Sequence, residues 1–481
     1  MDELIGRKQE QKELKELYKS NRAEFVAVYG RRRVGKTFLI DETFGSRITF
    51  RHAGLSPLDD NGKRNMMKDQ LKHFYNSLLS QGMKKSKCPT SWLEAFFMLQ
   101  MHLQSMDTGS RQVVFLDELP WMDTSRSGFI TALEAFWNGW ACHRHNFMLI
   151  VCGSATSWIL DHLINNHGGL YGRVTYEIKL SPFTLRECED FFLSRGIKMS
   201  RYDIVQCYMM LGGIPYYLNY FQKGLSLAQN IDKLFFTPNA KLREEYERMF
   251  SAIFSNPEQM KKIIQLLSTR HSGFTRQEII QKTGISDSGA ASNMIKSLEA
   301  SDFILRYKPF GSNRHNDTYK LTDPFCMFHL HWVSGCDKMN PDFWMLNQSS
   351  QAVSIWRGIA FEEVCLAHIQ QIKTALGISG VSSTQSAWSL RGDDEKEGTQ
   401  IDLLINRKDN VINMCEMKFC AEEYTVTKAY ERKLVHRQIM LSNFINRRTV
   451  IHSVLITTYG LTYNEYSGSF LHTIVMDDLF V

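Results

Sequence analysis

No C-x-x-C pair occurs among the ten cysteines, which are scattered along the chain. Cys142, Cys152 and Cys365 stand in apolar surroundings and read as buried reduced thiols, the pattern expected in a reducing cytoplasm. No apolar stretch follows the N-terminus, so no secretory leader is expected. No run of 18 apolar residues appears, which excludes a membrane-spanning helix and leaves no membrane partner to expect. The excess of one sign of charge is small as well. A net charge of +6 over 481 residues, with a pI near 8.6, is a mild excess that does not by itself imply nucleic acid. What is present is a 43% hydrophobic content, enough for real cores, on a length that suggests about three domains.

The most informative segment is Gly30 to Thr37, GRRRVGKT. It fits G-x-x-x-x-G-K-[ST], a loop whose backbone N–H groups cradle phosphates at a helix N-terminus. The apolar run Phe25–Tyr29 before it reads as a strand, and Phe38-Leu39-Ile40 opens a helical pattern. Gly30 and Gly35 permit close backbone approach, Lys36 can reach the β/γ-phosphates and Thr37 can ligate Mg²⁺. Gly30, Arg31, Arg32, Arg33, Val34, Gly35, Lys36, Thr37 and Phe38 are therefore the candidate ATP-binding segment. The three arginines either contact phosphates or a partner, or are simply solvated; solvation is the expectation. A second apolar strand, Val113–Leu116, ends in Asp117 and Glu118. Asp117 is the candidate Mg²⁺ ligand, and Glu118 the base that orients the attacking water. A third strand, Phe147–Cys152, precedes Ser154, which either touches the γ-phosphate and lytic water or caps the next helix.

These motifs, with Gly6-Arg7-Lys8-Gln9-Glu10 near the start, resemble the AAA+ and STAND-type P-loop ATPases. Gly172-Arg173, Leu180-Ser181-Pro182-Phe183 and Gly212-Gly213-Ile214-Pro215-Tyr216-Tyr217-Leu218 resemble segments of the archaeal-type ATPases within that group. The resemblance covers roughly the first 250 residues. It implies an α/β P-loop NTPase core of AAA+ type (residues 1–182) followed by a helical lid and connector (183–250), with ATP and Mg²⁺ as cofactors. It also implies that Arg7 lines the adenine pocket and that Pro215 sits in the lid near the base. Arg173 is the implied arginine finger, acting within the chain or on a neighbouring subunit of a homo-oligomer; a surface arginine and a plain turn proline are the structural alternatives.

Residues 184–250 place large apolar side chains at helical spacing. Residues 251–325 read as a winged helix: Thr275 and Glu278 form a capping box, Gly284 makes the turn, and Ser286 or Asp287 caps a second helix. Two short strands, Phe303–Tyr307 and Thr318–Leu321, flank a polar tip at Gly311-Ser312-Asn313. The second helix carries one basic residue, Lys296, whereas the wing holds Arg306, Lys308, Arg314 and His315. DNA contact would thus run through backbone phosphates at the wing, and packing against protein is the competing role.

Residues 326–481 carry a further constellation. Asp402 lies in the strand Gln400–Ile405, Glu416 and Lys418 lie two apart in the strand Val411–Phe419, and Glu362 lies in a helix that begins near Trp356. Together they can bind one or two divalent cations, with Lys418 positioning the nucleophile or offsetting phosphate charge. The order E…D-x13-E-x-K resembles the restriction-endonuclease-like PD-(D/E)xK superfamily, with Ile401 in place of the proline. It implies Asp402, Glu416 and Lys418 as catalytic and Glu362, Asp402 and Glu416 as metal ligands. The expected molecule is a cytoplasmic ATPase, coupled to a Mg²⁺-dependent nuclease-like domain acting on DNA or RNA. The alternative is a nucleotide-controlled switch whose last domain binds nucleic acid or protein without cutting.

Overall fold

Unbroken apolar runs suit strands covered on both faces. That is where the computed structural model puts them. It describes residues 4–58, 62–165, 168–254, 256–311, 317–336, 340–390 and 399–481. Five strands, β1 (Glu24–Tyr29), β2 (Ile48–Ala53), β3 (Gln112–Asp117), β4 (Phe147–Gly153) and β5 (Tyr176–Lys179), form a parallel sheet in the order β2-β3-β4-β1-β5. Strands β1, β3 and β4 are buried along their whole length. Because β4 lies between β1 and β3, the tips of these three strands place the glycine loop, Ser154 and the Asp117–Glu118 pair at one carboxyl edge. An aromatic layer from the helices Met67–Ser80, Trp92–Ser105 and Phe129–Gly139 packs in the core of this sheet, with the Trp92 and Phe129 rings edge-on at 4.9 Å. Burying a side chain of this size stabilises the fold by roughly 1.5–3 kcal/mol.

The chain divides into two units. The first comprises Met1–Pro182, Glu247–Pro257 and Ser292–Asp302; the second comprises Phe183–Tyr246, Glu258–Ala291 and Phe303–Val481. In the second unit the segment after Pro182 supplies the helices Leu185–Ser194, Arg201–Leu211, Pro215–Leu218 and Leu227–Phe235. The helix Arg276–Thr283 starts at the reciprocal Thr275–Glu278 capping box and stops at Gly284, whose φ of 69° explains the glycine. The next helix differs from expectation. It begins at Gly289, and the Ala291 N–H reaches Ser288 Oγ at 3.4 Å, while Asp287 instead pairs with Arg276 at 2.7 Å. Strands β6 (Phe274–Thr275), β7 (Ile304–Tyr307) and β8 (Thr318–Leu321) form an antiparallel sheet in the order β6-β8-β7. Of the anticipated wing tip, Ser312, Asn313, Arg314 and His315 lie outside the described residues.

The last sheet has five strands, β9 (Ser383–Leu390), β10 (Thr399–Arg407), β11 (Val411–Lys418), β12 (Val450–Thr457) and β13 (His472–Val475), in the order β13-β12-β11-β10-β9. Strands β9, β10 and β11 pair antiparallel, and β11, β12 and β13 pair parallel. Alternate residues of β11 face opposite helices. Ile412, Met414 and Glu416 turn to the helix Lys428–Ser442, whereas Cys415 turns to the helix Gln351–Ala367 beside Cys365. The helix Gln351–Ala367 starts several residues before Trp356, at the Ser350 cap, whose Oγ accepts from the Val353 N–H.

A bulge interrupts β10. Ile401 opposes Trp388 and Leu404 opposes Ser386, so Asp402 and Leu403 together face the single residue Ala387. The Ala387 carbonyl accepts instead from the Phe310 N–H at 2.9 Å. Ile401 and Leu404, three residues apart, therefore both enter the core under the helix Lys428–Ser442. Asp402 is turned to the opposite face. No helix of the described residues is long and apolar enough to cross a membrane. All ten cysteines are free thiols; Cys152 and Cys365 are buried and Cys142 is half-buried.

Candidate nucleotide site and the carboxylates of the last domain

The loop after β1 is shaped by two backbone demands. Gly30 has a φ of 138°, and a methyl group there would stand 2.3 Å from the Leu180 carbonyl oxygen. Gly35, with a φ of 93°, turns the chain into the helix Lys36–Phe44. Lys36 is buried. Its ammonium donates to the carbonyls of Gly30 and Arg31, both at 2.9 Å, and to Ser154 Oγ at 3.2 Å. Burial pushes its pKa down, against the opposing pull of Glu118 and Asp117. Thr37 Oγ1 donates to Asp117 Oδ2 at 2.7 Å, and the Glu118 N–H donates to Asp117 Oδ1 at 2.9 Å. Burial pushes the Asp117 carboxyl up, partly countered by the Thr37 bond.

Glu118 has left-handed backbone, with a φ of 46°, an uncommon conformation for a non-glycine residue. Its two oxygens accept from Ser154, Oε1 from the hydroxyl at 2.7 Å and Oε2 from the backbone N–H at 3.1 Å. The helix Thr156–Ile159 has Ala155 at its N-cap with no side-chain cap, so the Ser154 hydroxyl serves Lys36 and Glu118 rather than the helix end. A continuous chain of contacts thus runs from Lys36 through Ser154 to Glu118. The donor set suits a nucleoside triphosphate with Mg²⁺: Thr37 and Asp117 offer hard oxygens, and a buried ammonium lies against the loop.

The surroundings correct the expectation for Arg31, which is buried with its guanidinium 3.5 Å from Met249 Sδ, whereas Arg32 and Arg33 are half-buried. Arg32 stacks over Trp121 at 6.0 Å, and Arg33 has a φ of 70°. Val34 is buried and Phe38 is exposed. Arg7 is buried and donates to the Ser181 carbonyl at 2.6 Å and the Val34 carbonyl at 3.4 Å, bracing the loop from behind. Arg173 is exposed, and its backbone N–H reaches Leu170. Pro215 opens the short helix Pro215–Leu218 in the second unit.

In the last domain the four expected residues fall into two groups. Glu416 is buried and accepts from Tyr430 at 2.5 Å and from Arg437; Lys418 lies 3.9 Å from it and 5.2 Å from the Tyr430 ring. The β10 bulge moves Asp402 away from them. Among the described residues the cluster able to hold a metal ion joins Asp402 to Glu362 and His271, with ligand atoms within 4.8 Å of one another, and Glu416 is not in it. The expected convergence of Glu362, Asp402, Glu416 and Lys418 on one face is therefore absent, and the physical reason is the extra residue in β10. Burial pushes the Glu362 carboxyl up and the nearby Asp402 charge adds to it, with the His271 hydrogen bond opposing. Sequence reasoning missed His271, which lies 91 residues before its partner and carries no local signal. It also missed Tyr430 and Arg437, although their spacing of seven residues on a helix does place them on one face.

Of the wing residues expected at DNA, Arg306 is paired with Asp317 and Lys308 is exposed, while Arg314 and His315 lie outside the described residues. The one basic residue of the second helix, Lys296, is paired as well, with Asp161 at 2.6 Å.

Residues 4–221 match a family described as an ATPase domain predominantly from Archaea. Over 336 residues the chain is 25% identical to the uncharacterized protein MJECL04 of Methanocaldococcus jannaschii, covering 69% of each. Among solved structures it is similar to the Walker-type ATPase PABY2304 of Pyrococcus abyssi (18% identity, TM-score 0.46, 68% of this chain and 96% of that one). It is also similar to the ORC2 protein of Aeropyrum pernix (12% identity, TM-score 0.42, 72% and 96%). The family match falls on the stretch that carries the parallel sheet and the glycine loop, and it is to an ATPase domain of archaeal type that this stretch is similar.

Proposed function

We propose that the chain binds ATP with Mg²⁺ and hydrolyses it, and that the nucleotide state controls what the remaining domains bind. The observation that carries this reading is the linked set Lys36–Ser154–Glu118 and Thr37–Asp117 at one sheet edge. Mg²⁺, when bound, offsets phosphate charge. Lys36 exchanges the Gly30 and Arg31 carbonyls for phosphate oxygens, and Thr37 and Asp117 hold the cation. Glu118 orients the attacking water and takes its proton, positioned by Ser154. Arg7 braces the loop near the base, Pro215 belongs to the lid, and exposed Arg173 serves a nucleotide held by a second copy of the chain. Calorimetry of Lys36→Ala should show no ATP binding, and Glu118→Gln should bind ATP without releasing phosphate. Normal turnover by Glu118→Gln would remove the base assignment.

For the last domain the non-cleaving reading is favoured over a Mg²⁺-dependent nuclease. The arrangement E…D…E-x-K cuts only if its acids share one cation, and here Glu416 is taken by Arg437 and Tyr430 while Asp402 faces the other way. That the second helix carries a single basic residue, Lys296, favours a protein-packing role for the winged helix over a DNA reader. The assay is incubation of the full chain with single- and double-stranded DNA and RNA, ATP, and Mg²⁺ or Mn²⁺. Robust cleavage that disappears in Glu416→Ala and Lys418→Ala would replace the switch with the nuclease.

A further inference from the structure

We infer that His271, Glu362 and Asp402 form a binding site for a divalent transition-metal ion of the Mn²⁺ or Zn²⁺ class, fastening the segment before β6 to the last domain. The three residues come from separate places in the second unit: the turn before β6, the helix Gln351–Ala367 and the bulge of β10. His271 Nε2 stands 2.5 Å from Glu362 Oε2, and one ligand atom from each of the three residues lies within 4.8 Å of the others. Ligands around a tetrahedral ion of this kind stand roughly 3.3 Å apart, so the imidazole–carboxylate contact opens by less than about 1 Å to admit one.

The surroundings point the same way. A cavity of about 50 Å³, lined by His271, Tyr307, Lys320, Gln400 and Asp402, adjoins the trio and leaves room for water to complete the coordination. The far nitrogen of the imidazole, Nδ1, faces Glu363 Oε1 at 3.8 Å, and Lys320 holds that oxygen at 2.7 Å. A carboxylate behind the distal nitrogen of a histidine is the arrangement that orients an imidazole toward a metal. The other oxygen, Glu363 Oε2, is buried with no hydrogen-bond partner among the described residues, leaving a free lone pair for the imidazole to approach. An imidazole joined to two carboxylates favours Mn²⁺ or Zn²⁺ over Mg²⁺, which prefers oxygen alone. The bulge explains the placement: the extra residue that removes Asp402 from Glu416 delivers it to Glu362 and His271.

The site does not depend on the nucleotide reading, because Thr37 and Asp117 are untouched by its variants. The test uses the full chain, stripped with chelator, in nucleotide-free buffer, titrated with MnCl₂ or ZnCl₂ and followed by calorimetry, with Mn²⁺ electron paramagnetic resonance as a second readout. One ion per chain is expected. His271→Ala and Asp402→Asn should each weaken binding by about tenfold or more, and Glu363→Gln by roughly tenfold, at chelator-treated melting temperatures that match the wild type. Wild-type protein that takes up no more Mn²⁺ or Zn²⁺ than His271→Ala overturns the site. Asp402→Asn that binds as well as wild type does the same, and Mg²⁺ that competes on equal terms with Mn²⁺ overturns the assignment of metal class.

Discussion

Replacing Ser154 by alanine isolates one link of the proposed hydrolysis machinery. The hydroxyl donates to Glu118 Oε1 at 2.7 Å and receives Lys36 Nζ at 3.2 Å, so its removal loosens the carboxylate and frees one hydrogen on the ammonium. A hydrogen bond to a charged group contributes about 1.5–3 kcal/mol, which at about 1.4 kcal/mol per decade spans roughly 10- to 150-fold in rate. The Ser154 backbone N–H still holds Glu118 Oε2 at 3.1 Å in the variant. One tether of two therefore survives, and the expected fall in kcat sits at the low end, about 10- to 30-fold. Ground-state binding rests on Lys36, Thr37 and the loop amides, none of which is altered, so ADP affinity and KM should move by less than about threefold. Steady-state phosphate release and ADP calorimetry on the same preparation separate the two effects. A kcat within twofold of wild type would show that Ser154 does not position Glu118. An equal loss of ADP affinity would show that it acts on the bound ground state instead.

Gly30→Ala should abolish ATP binding in calorimetry, because the added methyl meets the Leu180 carbonyl at 2.3 Å and the φ of 138° costs about 1–3 kcal/mol for any side chain; a folded variant with wild-type affinity would remove the backbone argument. Burial pushes His52 down to about 3, with His73 adding to it. Below the unfolded value near 6.5 the unfolded chain takes up a proton that the native one refuses, so stability is full at neutral pH and falls with acidification, by about 1.4 kcal/mol at pH 5.5. Urea midpoints at pH 7.5 and 5.5 should show that loss in the wild type and a smaller one in His52→Gln; an equal loss in both would exonerate His52. Arg437→Met leaves the buried Glu416 with Tyr430 and a distant Lys418, and should lower stability by about 2 kcal/mol in denaturant titration without changing ATP turnover; an unshifted midpoint would show that Arg437 does not hold Glu416.

The first sheet was legible because each of its functional groups is local in sequence. A buried parallel strand reads as a continuous apolar run, and its tip is simply the next residue. Tyr29 leads into Gly30, Leu116 into Asp117, and Gly153 into Ser154, so three short segments name the candidate site before any fold is known. What the segments do not carry is lateral order. The position of β4 between β1 and β3 is what brings Ser154 against both Lys36 and Glu118 and away from capping the next helix. The burial of Arg31 was likewise hidden, since it follows from Met249, more than two hundred residues away.

In the last domain the same style of reading failed for a definable reason. Strand periodicity assigns a face by counting residues, and one inserted residue reverses the count. Glu416 and Lys418 lie on an unbroken stretch of β11, and the inference that they share a face holds for them. Asp402 lies on the bulge, where Ile401 and Leu404 both point into the core at an odd spacing. Nothing in Gln400–Ile405 announces that insertion, because Ile, Leu and Leu around the acid suit either face. Its consequence is chemical as well as geometric. With Asp402 opposite, Glu416 has no second carboxylate to share a cation with and is satisfied by Arg437 and Tyr430, whereas Glu362 gains an acidic neighbour and a histidine. A variant that deletes Ile401 and so restores the regular alternation should set Asp402 opposite Trp388, on the face of Glu416, at the expense of a buried isoleucine, about 2–5 kcal/mol of stability. If that variant folds and still loses Mn²⁺ or Zn²⁺ binding, the bulge itself is what decides which cation chemistry the domain can support.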